Sequence, residues 1–369
     1  MNSQQNYPVT RPRGFTSDNI AGVSPEVMDA LIACNVGQAP PYGNDALSRK
    51  LGQRISEIFE HEASVFLVST GSAANALCLA AMSPPWGSML SHAEAHINRD
   101  ECGAPEFFSD GAKSVQLGGD NAKIDLAGLK IQATRMVGDV HSVQPSCVSI
   151  SQATEVGSVY ALDEIEAIGA VCHDAGLGLH MDGARFANAL VTLGCSPAEM
   201  TWKRGVDALS LGATKNGAFG VDAVVLFRKD LAPALAFRRK RAGQLNSKMR
   251  FFSAQVEAYL ADDLWLRNAR QANATAKALA AGFASIPGAE ILGEPQANIL
   301  FCRLSRALVQ GLQAEGFGFY HDRWEPGVVR FVTSFATTQS DVDDLLAATE
   351  RLASRPQAGS TGPLEVHLT

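Results

Sequence analysis

One lysine interrupts the stretch ALSLGATKNGAFGVDAVVLF, Ala208 to Phe227, ahead of Asp222. Small and apolar residues surround it, with glycines on both sides. The first half reads as a buried strand and the part from Gly220 as its return partner, which puts Lys215 at the turn between strands buried on both faces. Partial desolvation there disfavours the ammonium form and moves the amine toward nucleophilic use. A solvated lysine at an ordinary hairpin turn would have the same letters. Two further stretches bear on the choice. In STGSAANALCLA, Ser69 to Ala80, an apolar strand ends, a small-residue turn follows and a helix begins. The unpaired N–H groups of Gly71, Ser72 and Ala73 at such a start could cradle a phosphate, although a plain helix with serine as its N-cap fits as well. The stretch lacks GxGxxG and the Walker lysine, which counts against dinucleotides and nucleoside triphosphates. In LGLHMDGARFANAL a buried strand ends at Asp182, with Arg185 three residues on. An acid at the carboxyl end of a parallel strand points into the crevice where such sheets bind ligands; capping of the next helix is its plainer use.

Together these make a set: a lysine in a strand turn, an acid at another strand end, and a helix start suited to an anion. Pyridoxal phosphate needs all three, for its imine link, its pyridine nitrogen and its phosphate.

The elements that must hold this set alternate through the first two thirds of the chain. Strand, helix, strand is the pattern of a mostly parallel, doubly wound sheet. After the basic segment RRKRAGQLNSKMR, Arg238 to Arg250, long alanine-rich helices take over, then short strands and a last helix near Ser340 to Ser354. These shifts predict an N-terminal arm over 1–25, a large domain over 26–255, a small C-terminal domain over 256–355, and a loose Pro/Gly/Ser-rich tail over 356–369. At 369 residues more than one compact domain is expected. A net charge of -7 gives no support to a nucleic-acid or membrane-surface partner. Nothing near the N-terminus resembles an apolar signal segment and no run approaches the roughly 20 apolar residues of a membrane span, so a cytoplasmic location is expected. The cysteines at 34, 78, 102, 147, 172, 195 and 302 are odd in number and lack CxxC spacing, which argues for reduced thiols and against a metal site.

With these motifs the chain resembles the threonine aldolases of the low-specificity L-threonine or phenylserine type, pyridoxal phosphate enzymes of the aspartate-aminotransferase-like fold. TSDN, YGND, STGSAAN, SHAEAHINRDECGAPEFF, HMDGAR and GATKNG carry the likeness, in that order, from Phe15 to Phe335. The resemblance implies an α/β fold: a PLP-dependent transferase-like (fold type I) large domain with a mostly parallel central sheet, plus a smaller α+β C-terminal domain. It also implies roles. Lys215 matches the Schiff-base lysine, Asp182 the partner of the pyridine nitrogen, and Gly71, Ser72, Ala73 and Thr214 the phosphate site. Arg185 matches an arginine near the cofactor and the substrate carboxylate, Arg330 the arginine that binds that carboxylate, with Ser17 assisting. His96 aligns with the histidine stacked over the cofactor ring; His92 competes, but the spacing to Glu101 favours His96. His141 matches a second family histidine, or is a surface histidine before a buried strand. Lys240, Arg250 and Tyr42 match groups that reach the cofactor site of a neighbouring subunit, which implies a homodimer or a dimer of dimers.

The implied activity is cleavage of a β-hydroxy-α-amino acid, such as threonine, allo-threonine or phenylserine, to glycine and an aldehyde, with His96 and His141 as candidate bases. An aminotransferase or β-eliminating lyase of this fold would share Lys215, Asp182 and the arginines. A noncatalytic cofactor-binding regulator would too, but neither a helix-turn-helix nor a basic extension is visible. The chain departs from the family at Thr214, where many members have serine, at Ala73, where they have glutamine or threonine, and at SQATEVG, Ser151 to Gly157, which replaces an ENTHNG-like segment. These departures point to a different substrate pocket around the same cofactor chemistry.

Overall fold

A computed structural model describes residues 13–354; the start of the expected arm and the expected tail lie outside them. Seven strands form the central sheet, in the spatial order Ser64–Val68, Asp222–Leu226, Ala208–Leu211, Gly178–Gly183, Gln144–Ser151, Gly87–His92 and Lys113–Leu117. Asp222–Leu226 runs antiparallel to both its neighbours; the other pairings are parallel. This reversal is the return strand read from the sequence: Leu211 pairs with Ala223, and a single 3-10 turn, Thr214–Asn216, follows the first strand. Helices cover both faces, so ALSL, DAVVL and GLHMDG are buried at every residue and carry apolar runs rather than an alternation.

Two glycines bring the key strand ends together. A Cβ at Gly183 would lie 2.7 Å from the Ser210 carbonyl oxygen, and one at Gly212 would lie 2.6 Å from that of Ala184. Their absence lets the ends bearing Asp182 and Lys215 approach closely.

A second, antiparallel sheet of four strands has the order Tyr320–His321, Val328–Val332, Ile299–Leu304, Ala289–Ile291. Its core holds Phe283, Phe319 and Phe331 with Leu308, Leu312 and Leu345 from the helices Arg306–Ala314 and Gln339–Ala353. The boundary expected near 255 falls inside the helix Met249–Leu260, whose Val256, Tyr259 and Leu260 belong to the larger core. The next helix, Leu264–Phe283, places Leu264, Trp265 and Ala269 in the larger core and Leu279 and Phe283 in the smaller. The cores therefore change over within this helix, later in the chain than composition suggests.

The N-terminal segment straps the two parts. Arg13–Gly14 pairs with Phe317–Gly318, the Phe15 N–H donates to the Gly318 carbonyl at 2.7 Å, and the Val332 N–H donates to the Phe15 carbonyl at 2.8 Å. Three residues after Phe15, the chain delivers Asp18 to the carboxyl ends of the parallel strands. Ligands bind at that edge in such sheets.

Candidate active site

A cavity of about 270 Å³ opens there, lined among others by Ser69, Gly71, Ser72, Asn75, His96, Asp182, Arg185 and Lys215. Its lysine is held by the turn itself. Asp222 Oδ1 accepts the N–H groups of Ala213 at 2.8 Å and Thr214 at 3.2 Å, which fixes the backbone just before Lys215. Burial pushes the Lys215 amine below the ordinary lysine range and the Arg185 cation adds to this, against the opposing carboxylates of Asp18, Asp182 and Asp222. An amine with its proton affinity lowered in this way, facing a cavity, is better suited to act as a nucleophile than an ordinary lysine.

The anion end is built from the helix Gly71–Met82. Thr70, not a serine, is its N-cap, and the Thr70 hydroxyl accepts the Ala73 N–H at 3.1 Å. The Ala73 amide is thereby committed and Ala73 does not line the cavity, which corrects its assignment to the phosphate site; Ser69 and Thr70 line it beside Gly71 and Ser72. Thr214 also lines it, with its hydroxyl donating to the Val221 carbonyl at 3.2 Å.

Opposite lies a relay of short contacts. Asp182 Oδ1 accepts the Ala184 N–H at 3.0 Å, and Oδ2 accepts the Asn75 side-chain amide at 2.8 Å. The same amide donates to Glu101 Oε1, which also accepts from His96 Nδ1, each at 2.8 Å. Nδ1 thus carries the proton of the neutral ring and Nε2 keeps a free lone pair. The Glu101 hydrogen bond raises the His96 pKa above its ordinary value, partly offset by burial. His92, the competing choice, is committed elsewhere: Nε2 meets the Gly119 carbonyl and Nδ1 accepts the Glu94 N–H, both at 3.0 Å.

The expected arginines divide. Arg185 lines the cavity, but its Nε and Nη2 donate to the Asp18 carboxylate at 2.8 and 3.0 Å, so most of its fork is taken. Arg330 lies outside the lining. It rests over Tyr320 at 5.1 Å and Trp324 at 5.5 Å, with a 3.4 Å bond to the Thr16 carbonyl and a buried Nε that has no partner. Of the two, Arg330 is the cation still short of an anion. Ser17 sits beside this pair and bonds Asp18 at 3.4 Å without lining the cavity.

His141 corrects an expectation. It is exposed, and lies with Ser88, Lys113 and Pro145 at the amino ends of the strands, across the sheet from the cavity. Its own chain cannot bring it to Lys215. Tyr42, Lys240 and Arg250 also stay outside the cavity: exposed Lys240 lies 5.4 Å from the Tyr42 ring centroid, and half-buried Arg250 reaches the Val36 carbonyl at 3.2 Å.

A family model described as beta-eliminating lyase matches residues 14–306. A low specificity L-threonine aldolase of Pseudomonas aeruginosa is 43% identical over 331 residues, 90% of this chain and 95% of that one. The chain belongs to the threonine aldolase family. It is an enzyme of the aldehyde-lyase class. Among solved structures, a threonine aldolase of Leishmania major superposes with a TM-score of 0.86 at 28% identity, covering 92% of this chain and 99% of that one. SPT, solved with PLP, superposes at 0.69 over 92% of this chain and 86% of that one; at 14% identity it shows the shared fold type alone.

Pyridoxal phosphate is the family's cofactor, and the cavity fits it: a buried amine, a helix N-terminus and a carboxylate line one space, where Asn75 Oδ1 and Glu101 Oε2 are buried without partners. Sequence reasoning passed over Asp18, Asn75, Glu155 and Asp222, although each stands inside a quoted motif. Their signal was a polar letter in a small or apolar setting; Asp18, Asn75 and Glu155 each have a partner distant in sequence, in Arg185, Asp182 and His96, whereas Asp222 holds Ala213 and Thr214 of its own turn.

Proposed function

We propose that the chain cleaves β-hydroxy-α-amino acids, threonine among them, to glycine and an aldehyde, with Lys215, His96 and Asp182 as its catalytic groups. The observation that carries this reading is the His96–Glu101 pair, which sets a base beside the lysine and the acid of a pyridoxal phosphate site. When bound, the cofactor supplies an aldehyde carbon for amines and a ring that withdraws electrons from the amino acid's α-carbon. Gly71 and Ser72 hold its phosphate at the helix N-terminus, and Asp182 keeps a proton on its ring nitrogen. Arg330 binds the substrate carboxylate and orients the breaking bond. His96 Nε2 takes the β-hydroxyl proton, and the Glu101 carboxylate stabilises the imidazolium that results. With that proton gone, the β-oxygen becomes the aldehyde carbonyl as the Cα–Cβ bond breaks.

Incubation with threonine, allo-threonine and phenylserine tests the reading. Glycine and an aldehyde support it; a keto acid or ammonia as the main product sinks it in favour of an aminotransferase or an eliminating lyase.

The raised pKa of His96 sets a pH dependence. The base works only when neutral, so cleavage is expected to rise with pH through a value above the ordinary 6.5. Glu101→Gln removes the main cause of the upward shift, and the acid limb of kcat should move to lower pH. A limb that stays in place would show that another group titrates.

The residues left outside the cavity bear on assembly. Tyr42, Lys240 and Arg250 serve the cavity of a second copy, in a dimer or a pair of dimers. Two features support this: none of the three residues lines the cavity of its own chain, and Ile32, Val36 and Phe219 are exposed apolar side chains. A role for His141 likewise requires a second copy. Among the described residues no helix is long and apolar enough to cross a membrane, and all seven cysteines are unpaired, which supports a reducing, cytoplasmic setting.

A further inference from the structure

The loop after the strand Gln144–Ser151 carries a carboxyl group that the mechanism leaves unused. Glu155 lines the cavity together with Ser151 and His96. Its Oε1 accepts two hydrogen bonds, from the Ser151 hydroxyl at 2.7 Å and from the His96 backbone N–H at 2.8 Å. Its Oε2 is buried and has no partner. Burial holds this carboxyl above the usual glutamate range and the Asp182 carboxylate adds to the effect; the two hydrogen bonds it accepts work the other way. Desolvation and a like charge nearby favour the protonated carboxyl over the carboxylate, and Oε1, twice occupied as an acceptor, leaves the unpartnered Oε2 as the oxygen placed to carry a proton.

We propose that Glu155 is a catalytic residue of the cleavage: its carboxyl group donates Oε2–H to the oxygen on the substrate's β-carbon and stabilises that oxygen on its way from hydroxyl to aldehyde. The inference rests on the aldolase reading above. As His96 removes the hydroxyl proton, negative charge gathers on the β-oxygen. A neutral donor there lowers the barrier, whereas an ionised carboxylate would raise it. The O–H electron pair becomes the second bond of the carbonyl, the Cα–Cβ pair passes to the α-carbon, and the proton on Glu155 stays where it began. Because Glu155 also anchors the His96 backbone, base and donor share one support. The replacement of the ENTHNG-like segment by SQATEVG thereby acquires a chemical meaning.

The test compares two reactions of the holoenzyme: cleavage of threonine, and exchange of the glycine α-hydrogen with deuterated water, which involves no β-oxygen. Glu155→Ala is expected to lower the ratio of cleavage to exchange by about 100-fold or more, the scale for loss of one preorganised donor. Glu155→Gln keeps an acceptor at Oε1 and a donor in place of Oε2–H, and should recover cleavage to within about tenfold of wild type. The acid limb of the cleavage profile should stay put in Glu155→Ala, since His96 sets it. Independently of turnover, infrared spectra of the wild type should show a protonated carboxyl stretch that disappears in Glu155→Gln. The proposal falls if the glutamine variant is as damaged as the alanine one, if the ratio does not move, if the acid limb shifts, or if the carboxyl band is absent. Failure of the aldolase reading looks different, because the wild type itself would then release no glycine and aldehyde.

Discussion

Lys215→Ala is expected to abolish cleavage and, with it, the covalent hold on the cofactor. The turn places an amine in the cavity and lowers its proton affinity by burial, and among the described residues no other lysine lines that space. Loss of a covalent nucleophile costs on the order of 10⁶-fold in a well-studied hydrolase, which sets the scale here. After borohydride treatment and denaturation, the cofactor should remain attached to the wild-type chain and come away from the variant. A reducible linkage that survives the substitution would place the reactive amine elsewhere. Asp222 grips the backbone of Ala213 and Thr214 rather than the lysine side chain, so the turn should hold its shape, and circular dichroism serves as the control.

His96→Phe carries the second largest expected effect. The substitution keeps an aromatic ring and removes both nitrogens, hence the Nδ1 contact to Glu101 and the basic Nε2. Threonine cleavage should fall by roughly 100-fold to 10,000-fold, the range for a lost general base, while cofactor binding falls far less. Equal losses in both would make His96 a structural support of the cofactor site, and cleavage within a few-fold of wild type would remove it from proton transfer.

Much of this site was legible in the chain because its central groups stand out locally. Lys215 is a lone charge in an apolar run, and Asp182 ends a strand whose other residues leave it no plainer use than a helix cap. What escaped depends on distance in three dimensions. The Ala73 amide looked available because the competing Thr70 hydroxyl acts through a cap geometry that the letters leave open. His141 precedes the eight-residue strand Gln144–Ser151, and a strand of that length spans about 26 Å, enough to move a residue from one edge of the sheet to the other. Glu155 and Asn75 take their meaning from partners on other strands and helices. The domain changeover was misjudged because one helix serves two cores, and a helix does not change its composition where its surroundings change.

That helix, Leu264–Phe283, has an energetic consequence. Leu264 and Trp265 anchor its first turn in one core and Phe283 anchors its last in the other, with a continuous backbone ladder between them. Neither core can come apart without unravelling part of the rod on which the other rests, so a loss of packing at one end is felt as a loss of stability at the far end. The two halves therefore share a single free-energy balance although their side chains meet in separate interiors.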